Sequence, residues 1–340
     1  MKGTIVACDR IGGRAAAALV IDGRLQDLIL DPAPDGPPLP GTIYRAIADR
    51  PMKGQGGLFV KLPNGASGFL RGSSTAPGKP VLVQVTGFAE PGKAVPVTSK
   101  LLFKGRYAIV TPGAPGINIS RRIRDEQRRA ALQDEIARAC PEVSGVIVRS
   151  AAEMAPDADV SAEIAQLHDL AQKLDDWRAG GAADLLHPGP GAHRIAALEW
   201  PISDIAPEGF AALGIDDMIA EIRSPRVDLP GLGIAWIEPT RALVAIDVNT
   251  GGDTSPASGL KANIALAREL PRQLRCRGLG GQVVIDMAPF AKRDRRTLEQ
   301  TLRRAFQADS VETALVGWTP LGHYELQRKR ERLPVSAALL

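Results

Sequence analysis

The sequence predicts an α+β protein of several domains, and three observations carry that expectation. Its 340 residues include 35 Gly and 27 Pro, punctuation that suits many short strands and turns better than a helical bundle. Between Thr42 and Lys100, brief apolar runs recur at close spacing between Gly- and Pro-containing turns, the pattern of a small closed barrel. From Arg241 to Asp286, a strand, a helix and a second strand follow one another as a βαβ unit. Hydrophobic residues make up 44% of the chain and aromatics only 4%, so the cores rest on Ala, Leu, Val and Ile.

The elements follow in order. Residues 2–8 and 15–21 read as strands around Gly12-Gly13, and Asp22-Gly23 is a hairpin signal leading to a strand from Leu25 to Leu30. The Pro-rich stretch from Asp31 to Gly41 marks a domain boundary. The barrel strands include Thr42–Ala48, Gly57–Lys61, Gly68–Leu70 and Val81–Gly87, an arrangement of the OB kind. Phe59 and Phe69 fall on them, either filling the core or standing outside to stack bases. Arg106–Val110 is a further strand and Gly113–Ile119 a loop; Arg122–Ala139 is helical and Val143–Val148 a buried strand. Ser161 is placed as the N-cap of an amphipathic helix carrying Ile164, Leu167, Leu170, Leu174 and Trp177. A short helix is expected over Asp216–Ile222. Strands follow at Gly233–Glu238, Arg241–Val248, Gln282–Met287 and Val311–Val316. Helices are expected over Lys261–Arg277 (kinked at Pro271), Asp294–Gln307 and the basic run Tyr324–Arg332.

Lys and Arg number 42 against 38 Asp and Glu, a mild excess compatible with a polyanionic partner. Basic clusters stand at Arg121, Arg122 and Arg124, at Lys292, Arg293, Arg295 and Arg296, and at Arg328, Lys329, Arg330 and Arg332. The 3 Cys are too scattered for a disulfide framework. No signal-peptide core or membrane-length apolar run is visible, so a cytoplasmic protein is expected. His168, His187, His193 and His323 form no zinc or triad pattern. Gly251-Gly252-Asp253-Thr254 matches no nucleotide-binding loop.

Asp247 and Asp286 stand near the carboxyl ends of the two βαβ strands. Parallel neighbours would bring both to one sheet edge, with Asn249, two residues on, facing the same way. The apolar strands suggest a sheet covered on both faces, hence a buried pair that a cation must join. Magnesium, a hard ion with oxygen ligands and retained waters, fits such a pair. Against this stands the reading in which each Asp caps a loop or helix.

Ala245-Ile-Asp-Val-Asn-Thr-Gly251, followed by Asn263 and by Arg275 through Asp286, resembles the catalytic signature of the ribonuclease E/G family. Gly116-Ile-Asn-Ile-Ser-Arg-Arg-Ile123 and Gly145-Val-Ile-Val-Arg-Ser150 are similar to two further segments of that family. The resemblance implies an S1-type OB-fold inserted in an RNase H-like unit, a 5′-sensor region and an α/β DNase I-like catalytic unit. The corresponding divisions are 1–35 (RNase H-like, first segment), 36–100 (OB-fold), 101–184 (sensor), 185–222 (a shortened RNase H-like connection) and 223–340 (catalytic). It implies that Asp247 and Asp286 hold magnesium, with manganese as an alternative and no zinc, and that Asn249 orients water or phosphate. Arg149 and Ser150 would grip an RNA 5′-monophosphate, supported by Gly105 and Ile109, while Phe59, Phe69 and Lys93 hold the single strand.

The implied activity is endonucleolytic cleavage of single-stranded, AU-rich RNA, leaving a 5′-phosphate and a 3′-hydroxyl. The alternatives are a non-catalytic or weakly active RNA-binding protein, and a DNA or phosphate-ester hydrolase. Ser150 stands for the family's Thr, keeping the hydroxyl, and Pro289 stands where some members carry an acid. The sequence ends at Leu340 without the family's zinc link, small domain or scaffold tail, so the expectation is a chain with no degradosome scaffold that allows a homodimer.

Overall fold

A computed structural model describes residues 3–335 apart from 53, 55, 144, 178–179, 201–204 and 254. The chain forms two compact units, one of Met1–Pro34 with Ser203–Leu340 and the other of Asp35–Ile202.

The first unit begins with β1 (Thr4–Ile11), β2 (Arg14–Ile21) and β3 (Arg24–Leu30), an antiparallel sheet in that order. Asp22 (φ 49°) and Gly23 (φ 74°) both turn through positive φ, as a tight hairpin between right-twisted strands demands.

The second unit opens with β4 (Ile43–Met52), β5 (Gly57–Lys61), β6 (Ser67–Arg71), β7 (Pro80–Val85) and β8 (Val95–Thr98). Their pairing runs β4-β5-β6-β8-β7 and returns to β4, closing a five-stranded OB-like barrel. Leu58, Val60, Leu70 and Val83 fill it. Closure removes the exposed edges that an open sheet of this size would carry.

Beyond the barrel come β9 (Phe103–Lys104), β10 (Ala108–Val110), β11 (Gly116–Ile119), α1 (Glu126–Ala139) and β12 (Gly145–Val148), with sheet order β11-β12-β10-β9. The expected loop at Gly113–Ile119 is thus in part a strand, paired in parallel with β12; its alternating half-exposure hid it. Helix α2 (Asp157–Asp176) packs Val160, Ile164 and Leu174 onto this sheet with Leu132 and Ile136 of α1. It starts earlier than expected. Ser161 lies inside it, its hydroxyl donating back to the Asp157 carbonyl at 3.0 Å, and Trp177 just past its end is exposed. Strand β13 (Asp184–His187) adds to β4, and α3 (Ala192–Glu199) completes the described part of the unit.

Returning to the first unit, α4 (Ile215–Arg223) packs Ile215, Ile219 and Ile222 with β1–β3. Strands β14 (Arg226–Leu229), β15 (Gly233–Pro239) and β16 (Val244–Asn249) lead to α5 (Pro256–Cys276), β17 (Gly281–Asp286), α6 (Arg295–Gln307), β18 (Thr313–Trp318) and β19 (Tyr324–Arg328). The sheet order is β14-β15-β16-β17-β19-β18, and only β16 and β17 run parallel. Pro271 sits within α5 without ending it.

Two expectations are corrected here. Tyr324–Arg332 is not a basic helix: Tyr324, Leu326 and Arg328 point inward while Gln327 is exposed, the period-two pattern of a strand. The expected cover on both faces of the sheet is also not found among the described residues of this unit. Val244, Ile246, Val283 and Ile285 bury against Leu266, Leu270, Leu298 and Leu302 of α5 and α6, whereas Asp247, Asn249, Gln282 and Asp286 are exposed on the other face.

Among the described residues, no helix is long and apolar enough to cross a membrane. All three cysteines are free thiols.

Candidate functional site

Asp247 and Asp286 are register partners across the parallel β16–β17 pair. Neighbouring strands lie about 4.8 Å apart, so the two carboxylates leave one face side by side. The row continues in both directions. Trp236 on β15 is the register partner of Asp247, and His323, just before β19, puts Nε2 3.8 Å from Asp286 Oδ1. Asn249 donates from Nδ2 to Asp247 Oδ2 at 2.6 Å, which leaves its carbonyl oxygen as the acceptor end.

The expected burial of the pair is overturned: Asp247 and Asp286 are both exposed, the Asp286 side chain by 67%. An incoming cation therefore meets an open approach to both carboxylates. Behind the pair, Asn263 on α5 is fully buried, donating to Ala288 O at 2.9 Å and accepting from Ala288 N at 3.0 Å. This two-point clamp fixes the chain where it leaves β17.

In the barrel, Phe59 and Phe69 are register partners on β5 and β6, with ring centroids 5.6 Å apart. Both alternate with the core residues Leu58, Val60 and Leu70, so they face outward and the core-filling reading is excluded. The Arg50 guanidinium lies over Phe59, 5.3 Å from the ring centroid. Lys93 sits in the loop between β7 and β8, its ammonium 2.5 Å from Glu90.

Around Arg149, which follows β12, the guanidinium Nη1 donates to Gly105 O (2.6 Å) and Leu198 O (3.0 Å). Nη2 donates to Glu199 Oε2 (2.7 Å), and the other Glu199 oxygen meets Lys104 Nζ at 2.6 Å. Burial alone would raise the Glu199 carboxyl, but Lys104 and Arg149 outweigh it and hold it below the usual carboxylate range. Ser150 follows directly, and Ile109 is half-buried on β10 between Lys104 and Ile147.

The family model described as the Ribonuclease E/G family matches residues 103–196 and 201–331, more than half of the chain. The chain belongs to the ribonuclease E/G family. Ribonuclease G of Escherichia coli (strain K12) is 25% identical over 364 residues, covering 88% of this chain and 74% of that protein. Ribonuclease E of a Nostoc species is 27% identical over 376 residues, covering 93% and 54%. Ribonuclease E of Escherichia coli (strain K12) is 28% identical over 302 residues, covering 74% and 28%. By family type the chain is an endoribonuclease.

The ribonuclease E/G match contains Gly105, Ile109, Arg149, Ser150, Asp247, Asn249 and Asp286, whereas Phe59, Phe69 and Lys93 precede it. Sequence reasoning missed Trp236, His323, Arg50, Lys104 and Glu199. The first two reach the Asp row through antiparallel pairings that no local pattern announces.

Gly105 has a reason of its own. Glu163 on α2 accepts from the backbone N–H groups of Arg106 (2.7 Å), Tyr107 (2.7 Å) and Ala108 (3.1 Å), and a Cβ at Gly105 would collide with its carboxylate. Gly105→Ala is therefore expected to break this anchor and destabilise the unit by about 1–3 kcal/mol, the cost of leaving such groups unsatisfied. Urea unfolding of the variant against wild type measures it.

Proposed function

We propose that the chain is a magnesium-dependent endoribonuclease that cuts single-stranded RNA by hydrolysis. The observation carrying this reading is the register pairing of Asp247 with Asp286 on an open sheet face. The donor set fits magnesium: two carboxylates, the Asn249 amide oxygen beside them, and space for the waters that ion retains. Bound there, the ion would polarise a phosphoryl oxygen and acidify a water. Asp247 and Asp286 would hold that ion, and Asn249 would orient the attacking water or the phosphate. Water attack forms a new P–O bond and breaks the P–O3′ bond, leaving a 5′-phosphate and a 3′-hydroxyl. Manganese, which shares the preference for oxygen donors, is the expected substitute.

The outward Phe59–Phe69 pair supplies π faces that any base can stack on, and unpaired RNA is the form whose bases are available. Lys93, paired with Glu90 at the barrel loop, adds a cation for the backbone. Arg149 and Ser150, with Gly105 and Ile109, are read as the pocket favouring a 5′-monophosphate, since a guanidinium fork suits a terminal phosphate. In this reading β1–β3 with α4 is a reduced RNase H-like unit, the six-stranded sheet with α5 and α6 is DNase I-like, and the enzyme works in the cytoplasm.

The test is incubation with a 5′-monophosphorylated single-stranded RNA and magnesium, followed by analysis of the product ends. Cleavage that EDTA stops, with 3′-hydroxyl products, supports the reading. Binding without products in magnesium or manganese would instead make the chain an RNA-binding protein, and stronger competition by duplex DNA than by RNA would make it a different phosphodiesterase. Phe59→Ala is expected to weaken single-strand binding by about 1–3 kcal/mol. A fluorescence titration reads this directly, and an unchanged affinity would remove the barrel face from the RNA path.

A further inference from the structure

The Arg149 pocket already holds an anion, and that anion belongs to the chain. Both oxygens of Glu199 are engaged by cations, Oε2 by Arg149 at 2.7 Å and Oε1 by Lys104 at 2.6 Å. Arg149 and Glu199 are mostly buried, at 18% and 19% side-chain exposure. Two features mark this as an occupied cradle rather than a pair whose members depend on each other for position. Arg149 is fixed independently, through Nη1 to the carbonyls of Gly105 and Leu198, so withdrawing the carboxylate leaves the guanidinium aimed as before. Glu199 is the last residue of α3, where the helix dipole disfavours a negative charge; the two cations, not its own helix, keep it there. A side-chain rotation at the helix end would clear the cradle and leave two converging cations, the recognition set for a terminal phosphate monoester.

We propose that Glu199 is a built-in competitor for the 5′-phosphate cradle: an RNA 5′-monophosphate must displace its carboxylate from Arg149 and Lys104, so Glu199 sets how strongly the RNA end is read and Lys104 is the second cation of the site. This rests on the reading of Arg149 as the end-recognition residue. It does not depend on cleavage, and the experiment keeps the two apart. Equilibrium binding is measured with a 3′-labelled single-stranded oligoribonucleotide carrying either a 5′-monophosphate or a 5′-hydroxyl, in an Asp286→Asn background so that the probe stays whole. The readout is the ratio of the two Kd values.

Glu199→Gln is expected to raise the preference for the 5′-monophosphate about tenfold, equal to about 1.4 kcal/mol. The gain should disappear in Arg149→Gln/Glu199→Gln and shrink in Lys104→Gln/Glu199→Gln, the coupling a double-mutant cycle isolates. Should Glu199→Gln fail to fold, Glu199→Asp, which retracts the carboxylate by one methylene, is expected to raise the ratio by a smaller factor and decides the matter. An unchanged or lowered ratio in a folded Glu199 variant overturns the proposal, as does a gain that survives loss of Arg149. Absence of RNA binding altogether also overturns it. Failure of the Asp247/Asp286 chain to cut either RNA, with the binding ratios as expected, strikes only the nuclease reading.

Discussion

Replacing Asp247 and Asp286 together by Asn is expected to lower the cleavage rate by at least on the order of 10³-fold while leaving the fold intact. Loss of one preorganised electrostatic contact to a transition state costs about 10²–10³-fold, and here both charges that would hold the metal go at once. The same substitution alters only contacts on the exposed face, the Asn249 hydrogen bond to Asp247 and the approach of His323 to Asp286. Both side chains stand exposed on the uncovered face, and surface substitutions generally stay within about 0.5 kcal/mol. Removing two like charges in direct register also relieves repulsion, so the unfolding midpoint should hold or rise slightly. The measurements are single-turnover cleavage in magnesium and urea unfolding of the same preparation. Activity retained in the double variant would sink the metal-pair reading, and activity lost together with stability would reassign the two residues to structure.

The βαβ unit was legible because turn residues bound its apolar runs, and Asp247 and Asp286 stand near the carboxyl ends of their strands in matching register. Their exposure was harder to read. Ala245 and Val284 made the strands look apolar throughout, although Asp247, Asn249, Gln282 and Asp286 alternate with Val and Ile as a half-exposed sheet requires. The OB-like barrel was visible from turn spacing, and alternation along β5 and β6 shows Phe59 and Phe69 outside it. The partners of these residues were not visible. Glu199 meets Arg149 across 50 positions, and His323 meets Asp286 only through the pairing of β19 with β17. Such contacts are set by tertiary packing, which leaves no periodicity in the chain.

The basic run at Arg328 is the clearest reversal, and it carries the largest expected stability effect. Arg328 is buried on β19 at 1% side-chain exposure, facing Asp309 at 0%. Its Nη1 donates to Asp309 Oδ2 at 2.6 Å and to Thr313 Oγ1 at 2.7 Å, and its guanidinium lies 5.9 Å from the Phe306 ring centroid. Arg275 of α5 pairs with the other Asp309 oxygen and donates to Gln26 O at 2.9 Å. One buried carboxylate thus bridges two guanidinium groups, one through each oxygen, and joins α5 and β19 to the chain after α6. Asp309→Asn keeps the shape but leaves Arg328 buried without its counter-charge, so a loss of about 3–5 kcal/mol is expected. Removing the whole charged cluster is the informative control: Asp309→Leu with Arg328→Met and Arg275→Met takes out all three charges and is expected to recover much of that loss, since a buried ion triad can be exchanged for apolar packing at little cost. Urea unfolding followed by tryptophan fluorescence reports the difference, with Trp236 and Trp318 both in this unit. Because β19 pairs with β17 along Ile285, cleavage by the Asn variant should fail only as the sheet unfolds, at lower urea than wild type. Equal midpoints for Asp309→Asn and wild type would mean that Arg328 is hydrated rather than buried, and that its cluster belongs on the surface after all.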